Sequence, residues 1–238
     1  VVLPNGDIIQ LGNSNRESHG YNLIGLIVGS EGTLGIVTAA TVKLTPKPTQ
    51  TRTFLAAFSQ TAQAAQSVSE IITSTIQPAA LEFMDAFTVH AVNQAFHVGF
   101  PESSEAVLLI ELDGNPDSIA YEESLLKAIL ERHQVEQLKS AETPDERTKL
   151  WTARKKAVAA YGRYLPAFYL HDTVIPRSEL APVLAEIQRI ASEYNITIGN
   201  VFHAGDGNLH PNILFDPDDA EMMERVLAGG AALLVGCG

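Results

Sequence analysis

Two apolar runs late in the chain, 196–202 and 209–215, are separated only by His203-Ala204-Gly205-Asp206-Gly207-Asn208. A gap this short cannot hold a crossover helix, so the runs must return on each other as antiparallel strands. Asp206-Gly207 at its centre reads as a two-residue turn with φ > 0 at both central positions. Centring the turn there pairs 206 with 207, 205 with 208, 204 with 209 and 203 with 210. His203 and His210 would then be directly opposed on one face, with Cβ atoms about 4.5–5.5 Å apart. Asn212, two residues beyond His210, would face the same way.

Upstream, strand and helix signals alternate. Pro46 and Pro48 interrupt them and divide the chain into 1–47 and 48–238. Beyond that point strands are expected at 53–58, 81–84, 106–112, 135–138, 168–175, 196–202 and 209–215. Helices are expected at 59–75 with Ser59 as cap, 86–96, 117–132, 143–161, 178–194 and 218–234. The helix at 143 carries its own start signal: Thr143 as cap, Pro144 in the first turn and Glu146 three residues on. Before the prolines, 1–3 and 8–11 read as a hairpin around Asn5-Gly6, and 12–22 as a loop. Residues 29–35 form a glycine-rich bend, and 36–44 reads as a β-branched strand. Interleaved elements that end in a hairpin imply an α+β fold, a largely antiparallel sheet with helices packed on it. A doubly wound parallel sheet is disfavoured.

Composition excludes some functions. With 45% hydrophobic and 18% charged residues the chain can bury a core. A net charge of -12 argues against a nucleic-acid surface, which needs clustered Lys and Arg. A small anion remains open as substrate, because one local Arg can override the global field. Cys237 is the single cysteine, so no intrachain disulfide is possible. No run approaches the roughly 20 apolar residues of a membrane span, and no signal-peptide pattern is visible in the residues from Val1 on. The chain opens and closes inside predicted structure, so a fragment is expected. No serine sits in G-x-S-x-G, so a hydrolase elbow is missing.

Three stretches can carry chemistry. Opposed imidazoles at 203 and 210 can share one metal ion at about 2.0–2.1 Å each. They can equally be incidental to the turn, since two ligands do not make a site and nothing local supplies a third. In Leu150-Trp151-Thr152-Ala153-Arg154-Lys155-Lys156, helical spacing puts Trp151, Arg154 and Val158 on one face. Arg154 could bind a carboxylate bidentately beside Trp151, or belong to a solvated basic patch. Gly29 to Gly35 matches neither a P-loop nor a dinucleotide fingerprint, and its backbone could meet a ligand or simply bend. His19, His90, His97, His133 and His171 have no partner at ligand spacing.

Two of these stretches resemble a known family. Gly25-Leu26-Ile27-Val28-Gly29-Ser30-Glu31-Gly32-Thr33-Leu34-Gly35-Ile36-Val37-Thr38 is similar to the end of the FAD-binding domain in the vanillyl-alcohol oxidase superfamily. Val201 to Asn212, with His-Ala-Gly-Asp-Gly-Asn-Leu-His inside it, resembles the FAD-linked oxidase C-terminal domain of glycolate oxidase FAD subunits and D-lactate dehydrogenases. Leu150-Trp151 with Arg154-Lys155, and Asp172-Thr173-Val174-Ile175-Pro176, stand in their family places.

The resemblance implies ferredoxin-like units in a substrate domain at 48–238, preceded by the tail of an α+β FAD-binding domain at 1–47. It implies FAD contacts at Gly29, Ser30, Glu31, Gly32, Thr33, Gly35, Ile36 and Val37. Arg154 would hold a substrate carboxylate and Asn212 would hydrogen-bond the substrate. His203 and His210 would bind a divalent metal, with zinc, manganese and iron all open. Relatives acting on 2-hydroxyglutarate carry Thr and Lys where Val158 and Leu170 stand here, which points to a smaller monoacid. The family's pyrophosphate loop is expected upstream. A Gly-Glu-His-Gly segment, with the third metal ligand and the base, is expected downstream. The chain alone is therefore expected to be inactive and to hold no stoichiometric FAD. The whole protein would oxidise a small 2-hydroxy acid to its 2-oxo acid. An iron–sulfur or other electron-transfer subunit would be its partner, in the cytoplasm or membrane-associated through that partner. A dehydrogenase with another electron acceptor, and a non-catalytic subunit that keeps the fold, are the alternatives.

Overall fold

The computed structural model describes residues 1–12, 20–101 and 103–236. His19, most of the loop expected at 12–22, and Cys237 lie outside the described residues. The chain divides into two compact units, Val1–Lys47 and Pro48–Gly238.

In the first unit the Asn5-Gly6 turn closes as the sequence predicts. Leu3 N donates to Asp7 O at 2.9 Å, Gly6 takes φ 89°, and Val2 bridges Ile8. Helix α1 (Leu23–Ile27) is capped by Asn22, whose Oδ1 accepts from Gly25 N. The strand expected at 36–44 does not form. Among the described residues only Ile36 pairs, in one bridge to Val2, so this stretch has no neighbour strand to satisfy a ladder. Gly35 is the only buried described residue of the unit, while Leu23, Ile24, Leu26, Leu34, Ile36 and Val37 are exposed.

The second unit begins with β1 (Gln50–Phe58), α2 (Thr61–Thr73), β2 (Ala80–Asp85), α3 (Ala86–Phe96), β3 (Ala106–Gly114), α4 (Pro116–Arg132) and β4 (Gln137–Ser140). These strands lie in the order β4-β1-β3-β2, every pair antiparallel. That is the split βαβ arrangement of a ferredoxin-like unit, with α3 inserted between β2 and β3. Then come α5 (Pro144–Lys155), α6 (Ala157–Tyr161), β5 (Ala167–Leu170), β6 (Thr173–Val174), α7 (Leu180–Glu193), β7 (Thr197–His203), β8 (Asn208–Leu209), β9 (Pro211–Phe215) and α8 (Ala220–Gly236). β9 lies between β5 and β7, which repeats the pattern. β7 joins the halves: one edge pairs with β9 and β8, and Val201–His203 pair along the other with Met84–Glu82 of β2.

Both faces of the sheet are covered. Phe54, Ala56 and Phe58 point to one core, with Val68, Leu126, Ile187 and Val226 from α2, α4, α7 and α8. Leu55 and Ala57 point to the other, with Val89, Ala153 and Tyr161 from α3, α5 and α6. This two-sided burial explains why the strands read as continuous apolar runs rather than alternating ones.

Four expected elements differ. Gln60, not Ser59, is the cap of α2, and its side chain makes no cap bond. The helix expected at 143–161 keeps its capping box but breaks at Lys156 into α5 and α6. There the anchors change, since α5 is tied to the sheet by Arg147 and Trp151, and Tyr161 of α6 bonds Thr88 of α3 at 2.6 Å. The strand expected at 168–175 splits at His171-Asp172, and the one at 209–215 splits at His210. The breaks face each other within one continuous register, from Ala167↔Phe215 to Thr173↔Leu209. Pro211 has no N–H to donate, so the ladder is interrupted there.

Tyr161 lies directly on Gly199, the residue opposite Asn212. A Cβ at 199 would stand 2.6 Å from the buried Tyr161 ring. Gly199→Ala is expected to destabilise the protein by about 1–3 kcal/mol through overpacking. Gly162→Ala, whose Cβ would meet nothing nearer than 3.6 Å, should be close to neutral. Urea unfolding of the two variants checks this, and equal midpoints would refute it.

Candidate active site

Two carboxylates are buried on the sheet face covered by α3, α5 and α6: Glu82 of β2 and Glu111 of β3. A buried carboxylate must be paired, and both are paired to the same face of α5. Glu111 accepts from Arg147 Nε at 2.9 Å and Nη2 at 2.8 Å, from Trp151 Nε1 at 2.7 Å and from Thr53 Oγ1 at 2.7 Å. Burial pushes its pKa up, but Arg147, Thr53 and Trp151 outweigh burial and hold it below the ordinary value. Glu82 accepts from Arg154 Nε at 2.8 Å, with Nη2 at 2.6 Å from the same oxygen. Arg147, Trp151 and Arg154 fall on one stripe of the helix, so the stripe is laid on the sheet by charge and hydrogen bonds.

The second oxygen of Glu82 meets His203 Nδ1 at 2.9 Å. Glu82 and His203 are directly paired across β2 and β7, which puts both side chains on one face. The His203 and His210 rings lie with centroids 5.4 Å apart at 86°. The predicted pairing of His203 with His210 is overturned, because His203 pairs with Asn208. Ala204–Asp206 form a 3-10 turn and only Gly207 takes positive φ, 72°, so the loop has four residues instead of two. Gly207 is also forced to be small, since a Cβ there would stand 2.4 Å from Ile175 O. The register moves by two residues, and an even slip leaves every side chain on its own face. The two histidines therefore still meet, as diagonal neighbours.

His210 sits in the gap between β8 and β9, with Nε2 3.4 Å from Asp172 Oδ1. Burial lowers its pKa, against the pull of Asp172. Asn212 is buried and donates through Nδ2 to His210 O at 2.7 Å and Gly199 O at 3.2 Å. Its Oδ1 has no partner among the described residues. Arg154, His203, His210 and Asn212 line one cavity of about 370 Å³, together with Trp151, Lys155, Val158, Phe168 and Leu170. Arg154 is thus no solvated patch, since its side chain is only 13% exposed. Trp151 lines the same cavity, with its N–H committed to Glu111.

Sequence reasoning missed Glu82, Glu111, Arg147 and Asp172. Glu82 had a signal: it is the lone charge inside the apolar run Leu81 to Met84, and a charge predicted to be buried needs a partner. Its partners were invisible, because they come from elements 72 and 121 positions away.

As to a metal, no group of three His, Cys, Asp or Glu among the described residues could hold one. The two imidazoles by themselves do not complete a metal site. The bend of the first unit turns through Gly29 (φ 83°), Glu31 (φ 49°), Gly32 (φ 79°) and Gly35 (φ 159°). A Cβ at Gly29 would meet nothing within 4 Å, and Ile36 and Val37 are exposed. The bend therefore offers open backbone beside apolar side chains, which fits the edge of a flat cofactor.

Two ferredoxin-like halves thus share a sheet, and a cavity at their junction is lined by an Arg, two His and a buried Asn. The chain belongs to the family of FAD linked oxidases, C-terminal domain, whose model matches residues 47–236. It is 44% identical over 227 residues to glycolate oxidase subunit GlcD of Bacillus subtilis (strain 168), across 95% of this chain and 48% of that one. To the mitochondrial D-lactate dehydrogenase [cytochrome] of Arabidopsis thaliana it is 31% identical over 224 residues, across 93% and 39%. The chain spans about half the length of the glycolate oxidase subunits it matches. Its fold is that of p-cresol methylhydroxylase, with TM-score 0.73 at 15% identity, covering 99% of this chain and 54% of that one. Among the described residues no helix is long and apolar enough to cross a membrane.

The site predicts a pH dependence. His171, beside Asp172, is buried, its Nε2 has no partner among the described residues, and burial lowers its pKa. The unfolded chain therefore takes a proton there at a pH where the folded chain does not. Stability is complete above the ordinary imidazole value of about 6.5 and falls as pH drops below it, by at most about 1.4 kcal/mol per pH unit per histidine. Urea midpoints of wild type and His171→Leu, measured from about pH 8 to pH 5, should show a shallower acid loss in the variant. Parallel curves would refute the assignment.

Proposed function

We propose that this chain carries the substrate site of a flavin-dependent enzyme that oxidises a small 2-hydroxy acid, of glycolate or D-lactate type, to the 2-oxo acid. The observation that carries the proposal is the convergence of Arg154, His203, His210 and Asn212 on one cavity. A 2-hydroxy acid has a carboxylate and a hydroxyl on adjacent carbons. Glu82 occupies the Nε edge of Arg154 and leaves Nη1 without a protein acceptor among the described residues. Those N–H groups would hold the carboxylate. The imidazoles and the unpartnered Asn212 Oδ1 would face the 2-hydroxyl, and an acceptor placed there eases the departure of its proton. When bound, FAD supplies the acceptor for the hydride from C2. Val158, Phe168 and Leu170 form an apolar wall that would keep water from the reacting carbon. Val158 and Leu170 offer no polar group to a second carboxylate, which favours a monoacid.

We further assign Val1–Lys47 to the C-terminal part of an FAD-binding domain and the rest to the substrate domain. The first unit's exposed apolar side chains support this, because such a stretch needs a larger body to cover it. In that unit Gly29, Ser30, Glu31, Gly32, Thr33, Gly35, Ile36 and Val37 would contact FAD. A divalent metal is proposed only for the whole protein. His203 and His210 would supply two ligands and a residue outside the described ones a third. The likeness to a protein named as an oxidase subunit supports a partner subunit, to which we assign electron transfer, in the cytoplasm or at a membrane.

The test is Arg154→Lys in the whole protein. A point charge replaces a bidentate fork, so KM for glycolate or D-lactate should rise about tenfold or more. Bound metal should be unchanged, because Arg is not a ligand. Wild-type KM and kcat in the variant would remove the carboxylate role.

A further inference from the structure

Glu82 stands between the two groups on which the proposed function rests, and among the described residues it alone hydrogen-bonds to both Arg154 and His203. Its side chain is 8% exposed, and each of its two oxygens has a protein partner. One oxygen is taken by the guanidinium, and a carboxylate paired to a cation is an acceptor only. Its other oxygen, 2.9 Å from His203 Nδ1, can therefore only accept, so Nδ1 carries the proton. A neutral imidazole protonated at Nδ1 has a bare Nε2. The His203 side chain is half exposed and lines the cavity, and Nε2 has no protein donor among the described residues.

We propose that Glu82 is a positioning residue that acts through both partners at once, a role that rests on the function proposed above. It pins His203 in the Nδ1–H tautomer, so that a bare Nε2 acceptor faces the cavity. It also pins Arg154 by its Nε edge, so that the remaining N–H donors face the same cavity. The resulting pattern sets one bare ring nitrogen, able to take a hydroxyl proton or to ligate a metal, beside a cluster of donors that suits a carboxylate. The cross-strand register of Glu82 with His203 makes the arrangement rigid. The remaining charged or titratable groups on the cavity are Lys155 and His210, and among the described residues the hydrogen-bonding partners of the Glu82 carboxylate are Arg154 and His203.

Glu82→Gln gives a test that a merely structural role would not pass. The amide must turn its oxygen to the permanent cation, Arg154, and so presents its NH₂ to His203. A donor there requires Nδ1 to be bare, and the proton moves to Nε2. Long-range ¹H–¹⁵N correlation spectra of this chain distinguish the two tautomers, at about pH 9 where an ordinary imidazole is neutral. His203→Gln assigns the resonance. Wild type should show the Nδ1–H form and Glu82→Gln the Nε2–H form. In the whole protein Glu82→Gln should lower kcat/KM about tenfold or more, while Glu70→Gln, outside the site, leaves it unchanged. An Nε2–H tautomer in wild type overturns the proposal even if the variant does not fold. A loss of activity without tautomer reversal also overturns it, because that is what simple loss of packing would give. Tautomer reversal with unaltered turnover would instead count against the function proposed above, as would a silent Arg154→Lys.

Discussion

The site depends on a single constraint, that a carboxylate removed from water must be paired. Glu82 and Glu111 are both taken into the sheet face beneath α5, and each is satisfied by side chains of that helix. Helix α5 has few apolar residues to bury, with Ala153 the one buried side chain along it. Hydrophobic burial alone would hold it loosely. One buried ion pair, Glu82–Arg154, a second pair whose Arg147 reaches the surface, and an indole hydrogen bond instead fix its rotation and height on the sheet. Removing one partner of a buried pair such as Glu82–Arg154 typically costs about 3–5 kcal/mol, whereas the intact pair adds little net stability. The pairs therefore select one orientation of the helix more than they strengthen the fold. That orientation aims Arg154 into the cavity.

The second dependency is β7. It is the strand shared by the two ferredoxin-like halves, and it brings His203 from the second half against Glu82 of the first. Asp85 reinforces the same seam, since it caps α3 and accepts from Asn200 N and Nδ2 at 2.8 Å each. Burial pushes the Asp85 pKa up, while Thr88 and Asn200 draw it back down. The site is thus assembled at a junction between repeats, where side chains distant in sequence come together.

Much of the fold was legible because its signals are local. Thr143, Pro144 and Glu146 form the expected capping box, and the helix at 86–96 has the expected bounds. The antiparallel class followed from one short gap. What failed also has local causes. Asp206-Gly207 is a favoured hairpin dipeptide, but Ala204–Asp206 form a 3-10 turn, only Gly207 takes positive φ, and its carbonyl is held by Ile175 N, so the loop is longer. Only because the register slipped by an even number did the inference about the two histidines keep its geometry while losing its pairing. The proline at 211 marked an interruption in the ladder that the apolar run concealed.

By itself the sequence determined most of the element order of the second unit, the antiparallel class, the face shared by Trp151 and Arg154, and the nearness of His203 to His210. Each of these depends on spacing along the chain or on the chemistry of one turn. Only the tertiary structure decided that Glu82 bridges Arg154 to His203, that Glu111 holds Trp151 and Arg147, and that Asp172 stands beside His210. Those contacts join residues 36 or more positions apart, by the pairing of β2 with β7, the docking of α5 and the register of two broken strands. Spacing within one element carries no information about which other element will lie across from it. The partner of a buried charge is therefore set by how the sheet closes, and a buried charge in the sequence shows only that a partner must exist.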